Sequence, residues 1–428
     1  MSEWKEVYLN DVYEISSGLS KPAEDFGTGF PFLTFKEVFN NFFIPDKLSE
    51  LVESNEKERF TCSIKRGDVF LTRTSETVKE LGMSCVALKD YENATFNGFT
   101  KRLRPKKNIE IVPEYVGYYF RNSKFRKEIT SMSSASTRAS LNIEMIGRLK
   151  ILLPSKEEQF SIGHILKTLD DKIENLRLQN ETLEAIAQTL FKHWFIDFEF
   201  PDADGKPYKS SGGGMWRSAI GDIPEGWHVG KLGQYLNIKH GYAFKGEYIT
   251  TEETDKILLT PVNFKIGGGF NDSKYKYYSD EYYLDEYVLK KRDLTVTMTD
   301  LSKEGDTLGY PAFIPEAKGK VFLHNQRIGK VETDKIDKTF LYFLLCRREY
   351  RSHILGTASG STVRHTSPSR ICEYSFAIPD FQLINKFSDV ATVIIDKILI
   401  NFEQIQTLTK TRDALLPKLM SGQLRIEE

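Results

Sequence analysis

Cysteine, histidine and long apolar runs are scarce in this chain of 428 residues, and each scarcity excludes something. Four cysteines, Cys62, Cys85, Cys346 and Cys372, never form a C-x-x-C pair, so buried reduced thiols are expected rather than zinc or a redox motif. The seven histidines include no H-E-x-x-H. None of the Gly-Lys pairs, at Lys206, Lys231, Lys320 and Lys330, is followed by Ser or Thr, and no G-x-G-x-x-G follows a strand-like run. No metal, nucleotide or other cofactor is therefore expected on the chain itself. The longest uninterrupted apolar run, residues 340–346, is far too short to span a bilayer. Acids stand near the start, where a signal peptide would carry bases, and a cytoplasmic placement is expected. What remains is ordinary for a folded protein: 40% apolar, 28% charged, with a length that fits two or three domains.

A net charge of -1 argues by itself against a nucleic-acid partner, but the charges are segregated. Residues 60–150 hold 17 basic and 9 acidic side chains, whereas residues 1–59 hold 6 and 12. Residues 286–370 repeat the basic excess, 15 against 10, and residues 151–200 are acidic, 5 against 9. Two basic blocks at matching places need a common cause.

That cause is an internal duplication. Trp4-x4-Leu9-x5-Ile15-x2-Gly18 recurs as Trp227-x4-Leu232-x5-Ile238-x2-Gly241. Asp68, Thr72 and Thr74 answer to Asp293, Thr297 and Thr299, and an offset of 225 continues through Pro154 with Pro379 to Leu190 with Leu415. So long a period indicates two similar domains in tandem rather than a solenoid. Each copy begins with short Thr, Val, Tyr and Phe runs between turn residues, then an apolar helix over 115–129 or 340–354, then a Ser/Thr-rich loop, which fits an α+β globule.

After Pro154 and Pro379 the apolar positions step by four and three: Ile162, Leu166, Leu169, Ile173, Leu176, Asn180, Leu183, Ala187, Leu190, and likewise Phe387 to Leu415. These are heptad seams of two long helices. Parallel pairing would strand Asn180 and Asn401 against hydrocarbon, at about 1–3 kcal/mol per amide. Antiparallel pairing with partner numbers summing to 581 joins Asn180 to Asn401, Trp194 to Phe387 and Ile162 to Leu419, leaving Leu169 against Arg412 as a poor layer. From Leu166 to Leu190 such a seam spans about 36 Å, close to one turn of B-DNA. The boundaries expected are 1–154, a spacer helix over 155–200, a flexible Gly/Ser linker over 201–226, a second globule over 227–379, a second spacer helix over 380–418 and a tail over 419–428. Asp202, Asp204 and Lys206 imitate a metal-dependent nuclease cluster, but a flexible linker would not hold them in catalytic geometry.

Ser134, Ser136, Thr137 and Arg138, with Ser359, Ser361, Thr362, Arg364 and His365, combine hydroxyls and cations suited to phosphate and base-edge contacts. The strand ends Thr72, Arg73, Thr74 and Ser75, with Thr297 and Thr299, are weaker candidates. Lys101, Arg102 and Arg104 could line a groove or be a solvated turn, and their counterparts Asn325, Gln326 and Arg327 differ, as two domains reading different sequences would.

The chain resembles the specificity subunits of type I restriction-modification systems. The residues that carry this are the paired Trp-x4-Leu openings, the run Leu190-Phe-Lys-His-Trp-Phe-Ile-Asp-Phe, the join Asp204-Gly-Lys-Pro-Tyr-Lys-Ser-Ser-Gly and the close Arg412-Asp-Ala-Leu-Leu-Pro-Lys-Leu-Met-Ser-Gly-Gln-Leu. The resemblance implies two target-recognition domains held apart by an antiparallel helix pair, each reading one half of an asymmetric bipartite site in double-stranded DNA. It implies that catalysis belongs to partners: modification subunits that methylate adenine with S-adenosylmethionine, and restriction subunits that use ATP and Mg to translocate and cut DNA. The outer helix faces, with Trp194, Phe195 and Phe198, are the expected docking sites for the modification subunits. Two other classes stand beside this one, an enzyme with its own nuclease or methyltransferase activity and a coiled-coil scaffold that never touches DNA.

Overall fold

A computed structural model describes residues 4–75, 80–132 and 139–426. The chain divides into two compact units, Met1–Glu174 with Gln406–Glu428, and Asn175–Ile405. In the first unit a four-stranded antiparallel sheet runs in the order Tyr13–Ser17, Thr100–Pro105, Val69–Thr72, Ser84–Val86. In the second the order is Asn237–His240, Ile328–Glu332, Leu294–Thr297, Pro311–Phe313, again antiparallel. Each opening strand pairs with the strand before a long helix, Lys5–Tyr8 with Lys150–Leu153 and His228–Lys231 with Ser375–Ile378. The duplication is thus one of topology as well as of motif, and each copy mixes helix and sheet. The second unit adds a five-stranded sheet with one parallel pair, Lys256–Leu259 beside Val321–His324, where the first has a three-stranded one.

The repeated opening motif has a steric basis. Leu9 and Leu232 are fully buried. A Cβ on Gly18 would lie 2.3 Å from the Asn97 carbonyl oxygen, and one on Gly241 would lie 2.2 Å from that of Asn325. Both glycines sit where the chain crosses a neighbouring backbone, at the bridges of Leu19 with Asn97 and Tyr242 with Asn325. The single apolar helices expected over 115–129 and 340–354 are instead two each, Pro113–Tyr119 with Ser123–Met132, and Lys338–Leu345 with Arg348–Thr357. In the first copy the Asn122 side chain accepts from the Phe125 amide at 2.9 Å and starts a new helix, which an apolar count does not register.

The long helices, Lys156–Phe195 and Phe381–Met420, contribute one end to each unit. Ser155 accepts from the Glu158 amide at 3.2 Å and Asp380 from the Gln382 amide at 2.7 Å, so both begin just after the prolines. In the second unit Asn401 Nδ2 donates to Asn180 Oδ1 at 2.9 Å, Asn180 Nδ2 to the Ile398 carbonyl at 3.3 Å, and Trp194 meets Phe387 at 6.1 Å between ring centres. Numbers rise on one helix as they fall on the other, in the register expected. In the first unit Ile162 and Leu166 share a buried cluster with Leu419. The layer expected to be poor is repaired from the side: Arg412 donates to Asp170 at 2.6 Å, and Tyr118 donates to the other oxygen of that carboxylate at 2.6 Å. The second helix carries a further apolar face, Ala391, Ile395 and Leu399, buried in the globular core of its unit; the heptad reading included Ala391 and left out the other two.

The flexible linker expected over 201–226 is ordered. Met215–Ser218 pairs with Gly221–Pro224 as a hairpin. Phe200 stacks on Tyr208 at 4.6 Å and on Trp227 at 5.5 Å, and these rings anchor a segment whose Gly and Ser content reads as loose. Asp202 Oδ1 accepts from the amides of Asp204 and Lys206, closing a turn. No helix among the described residues is long and apolar enough to cross a membrane.

Candidate nucleic-acid interface

Strand alternation sorts the first unit's basic run. Arg102 and Arg104 fall on one face of Thr100–Pro105 and Lys101 on the other. Arg104 Nε donates to Asp68 Oδ1 at 2.7 Å, and Asp68 is fully buried. Arg102 donates to the Ser63 carbonyl at 2.7 Å and its guanidinium lies over Phe96, while burial holds its pKa below the usual arginine value. These two arginines serve the interior, contrary to the expectation that they line a groove. Thr72 is equally internal, its hydroxyl accepting from the Met83 amide at 2.9 Å.

Arg73, Thr74 and Lys101 instead border a recess of about 550 Å³ with Ser140, Asn142 and Ile143. Ser75, next in the chain, pairs through its backbone with Ala139. Burial, reinforced by the Arg73 guanidinium, lowers the Lys101 pKa from the ordinary lysine value. Ser134, Ser136, Thr137 and Arg138 lie outside the described residues.

In the second unit Asn325, Gln326 and Arg327 form the turn before Ile328–Glu332, and Asn325 Oδ1 accepts from the Arg327 amide at 3.0 Å. This turn borders a cleft of about 950 Å³ together with Lys265, Lys274, Lys276 and Leu301. Gln326 Oε1 is buried and has no hydrogen-bond partner among the described residues, while Arg327 is exposed. Three lysines and two exposed apolar side chains, Ile266 and Leu301, were missed in the sequence, although Lys265 beside Gly267, Gly268 and Gly269 marks a basic turn. Thr297 is fully buried and bonds to the Thr307 carbonyl, so it too is internal. Thr299 lies 3.1 Å from His365 Nδ1.

Asp300 fastens the loop that follows. Burial would raise its carboxyl, but hydrogen bonds from Thr307 and Ser302 outweigh that and hold its pKa below the usual value. In the Ser/Thr loop, Ser359 and His365 exchange two backbone hydrogen bonds, leaving Ser361 and Thr362 exposed, and Arg364 donates to the Lys303 carbonyl at 3.0 Å. The structure therefore ties the Ser/Thr loop to the loop that borders the cleft.

The aromatics expected to dock partners face inward. Phe195 is buried among Phe340, Phe387 and Trp227, Trp194 packs half-buried on Phe387, and Phe198 meets Trp227 edge-on at 5.5 Å. Their enrichment beyond the needs of a helix pair reflects the core of the second unit.

Comparison with known proteins adds independent findings. A family model described as the type I restriction modification DNA specificity domain matches residues 1–185 and 224–417. The chain is 29% identical to the type I restriction enzyme MjaIX specificity subunit of Methanocaldococcus jannaschii, covering 100% of this chain and 94% of that protein. It is 25% identical to the HindI specificity subunit of Haemophilus influenzae, covering 99% and 100%. Among solved structures, the S subunit of a type I restriction-modification system from M. genitalium superposes with a TM-score of 0.57 at 14% identity, over 97% of this chain and 96% of that one.

Proposed function

Since the chain belongs to the type I restriction-modification specificity subunits, the non-catalytic DNA-recognition component of those systems, we propose that its two halves read the two parts of one asymmetric bipartite site. The observation that carries this reading is the repeated sheet with unlike borders: Arg73, Thr74 and Lys101 in one copy, Gln326, Arg327 and three lysines in the other. Hydroxyls, amides and cations suit base edges and phosphates, and exposed Ile266 and Leu301 suit a thymine methyl group.

Methylation of adenine with S-adenosylmethionine, and cleavage with ATP and Mg, are assigned to modification and restriction subunits that assemble on this chain, and no cofactor is assigned to the chain itself. The long helices act as a ruler, setting the gap between the two parts of the target. The test is long-read detection of methylated adenine in cells carrying the chain with its modification partner, against cells lacking the chain. A bipartite motif that disappears with the chain supports the reading. An active complex with no chain-dependent motif, or with a motif of one part only, refutes it.

A further inference from the structure

Lys101 is in an unusual place for a lysine. It lies opposite Ser17 and Leu71 on its sheet, on the face whose other members, Ile15, Val69, Leu71 and Leu103, belong to the apolar core of the first unit. It is only 5% exposed, and its ammonium donates to the Ser17 hydroxyl. The charged group that acts on it is Arg73, of the same sign. Arg73 Nε is itself buried without a hydrogen-bond partner among the described residues. Glu144, at the rim of the same recess, is paired with Arg148. Two neighbouring cations thus share a recess in which, among the described residues, the bordering carboxylate is already paired with another cation, an arrangement that costs free energy unless an anion enters.

The second copy shows that the fold does not require this. Thr72 lies opposite Thr100, and its equivalent Thr297 lies opposite Ile328, so Lys101 corresponds to Gly329 and Arg73 to Met298; Asn325, expected from the sequence as a counterpart of the 101–104 run, answers instead to Asn97. Met298 is buried, and its sulfur lies 3.2 Å from where a Cβ on Gly329 would be. The same strands close there with a thioether over a glycine and no charge at all. The cations of the first copy are a departure from a workable apolar solution, as expected of groups kept for a ligand.

We infer that Arg73 and Lys101 form a subsite for one backbone phosphate of duplex DNA, present in the first half and absent from the second. The assignment rests on the DNA-recognition reading above and deepens it. A guanidinium offers several donors in one plane and an ammonium adds a point charge, which suits a phosphate group with unesterified oxygens. Thr74 and Ser140 border the same recess and can supply further hydroxyl donors. Such a contact fixes the protein on the duplex and carries no sequence information of its own.

The test uses the full chain and a fluorescent 30-base-pair duplex of random sequence, with affinity measured by anisotropy from about 50 to 300 mM KCl, the span over which phosphate contacts are lost. Arg73→Met and Lys101→Met are each expected to reduce the slope of log affinity against log salt, and the double variant, which releases that one phosphate entirely, to reduce it by about 0.9. Arg73→Lys, which keeps the charge, is expected to retain the native slope. Thermal melts of the Met variants should match or exceed the native chain, because a buried charge has been removed. Should Lys101→Met fail to fold, Arg73→Gln, at a half-exposed position, carries the test alone. An unchanged slope in folded variants overturns the subsite while leaving DNA recognition standing. Absence of salt-dependent duplex binding by the native chain overturns both.

Discussion

The asparagine pair in the second unit allows a double-mutant test of what holds the helices in register. Asn401 is fully buried, its amide nitrogen donates to Asn180 at 2.9 Å, and its own oxygen has no partner among the described residues. Asn180→Leu removes a hydrogen bond worth about 1 kcal/mol and leaves the buried Asn401 amide nitrogen only a long contact with Gln179 Oε1 at 3.5 Å, at a further 1–3 kcal/mol, so a loss of about 2–4 kcal/mol is expected. Asn401→Leu releases the half-exposed Asn180 toward water and should cost less. With both replaced by leucine no buried amide remains, and the layer should recover most of the loss. The predicted departure from additivity is about 2–3 kcal/mol. Native-state hydrogen exchange of the amides over 175–195 measures this locally, without requiring the whole chain to unfold as one. Strictly additive costs would show that the two amides do not depend on each other, and the register argument would fall with them.

Three further outcomes follow from the same geometry. Arg104→Ala leaves fully buried Asp68 without its cation and should destabilise the first unit by about 3–5 kcal/mol, while the salt slope of DNA binding of the surviving folded protein stays native; a reduced slope would show that Arg104 touches DNA after all. Burial pushes His324 down to about 4, so the folded chain keeps it neutral: its contribution is full above the unfolded value near 6.5 and is lost as pH falls from there toward about 4, by on the order of 3 kcal/mol. Urea midpoints at pH 7.5 and 4.5 should therefore differ less in His324→Gln than in the native chain, and equal differences would refute the assignment. One heptad added to each long helix should lengthen the target gap by about three base pairs, at about 1.5 Å per residue against 3.4 Å per base pair, and methylation mapping that finds the native gap would refute the ruler.

The long helices were legible because their signal is local. Steps of three and four place the seam, and the demand that two amides meet selects one register from many. The join was misread because its order comes from residues distant in sequence: nothing between Ser210 and Gly214 announces that Tyr208 and Phe200 will stack under Trp227. The basic run 101–104 was misread for a different reason. Adjacent cations look like one patch in sequence, but a strand turns successive side chains to opposite faces, so Arg104 went to Asp68 while Lys101 went to the recess. The cleft lysines of the second unit lie on a strand and in loops of a sheet that is smaller in the first copy, and no repeated motif marks them in the sequence.

The two copies together separate what the fold needs from what it tolerates. Asp68 and Asp293 accept from the Lys65 and Lys290 amides at 2.8 Å each, and each also holds a cation from the neighbouring strand, Arg104 or Lys330. Gly18 and Gly241 both yield to a crossing backbone. Positions that keep the same residue under the same constraint belong to the scaffold. Arg73 with Met298, and Lys101 with Gly329, occupy equivalent backbone and share no chemistry, so nothing in the scaffold fixes them. On the subsite proposed above, substitutions at such positions are expected to change DNA binding more than folding. Two halves that differ at equivalent backbone are free to bind unlike half-sites, and an asymmetric target is the expected consequence.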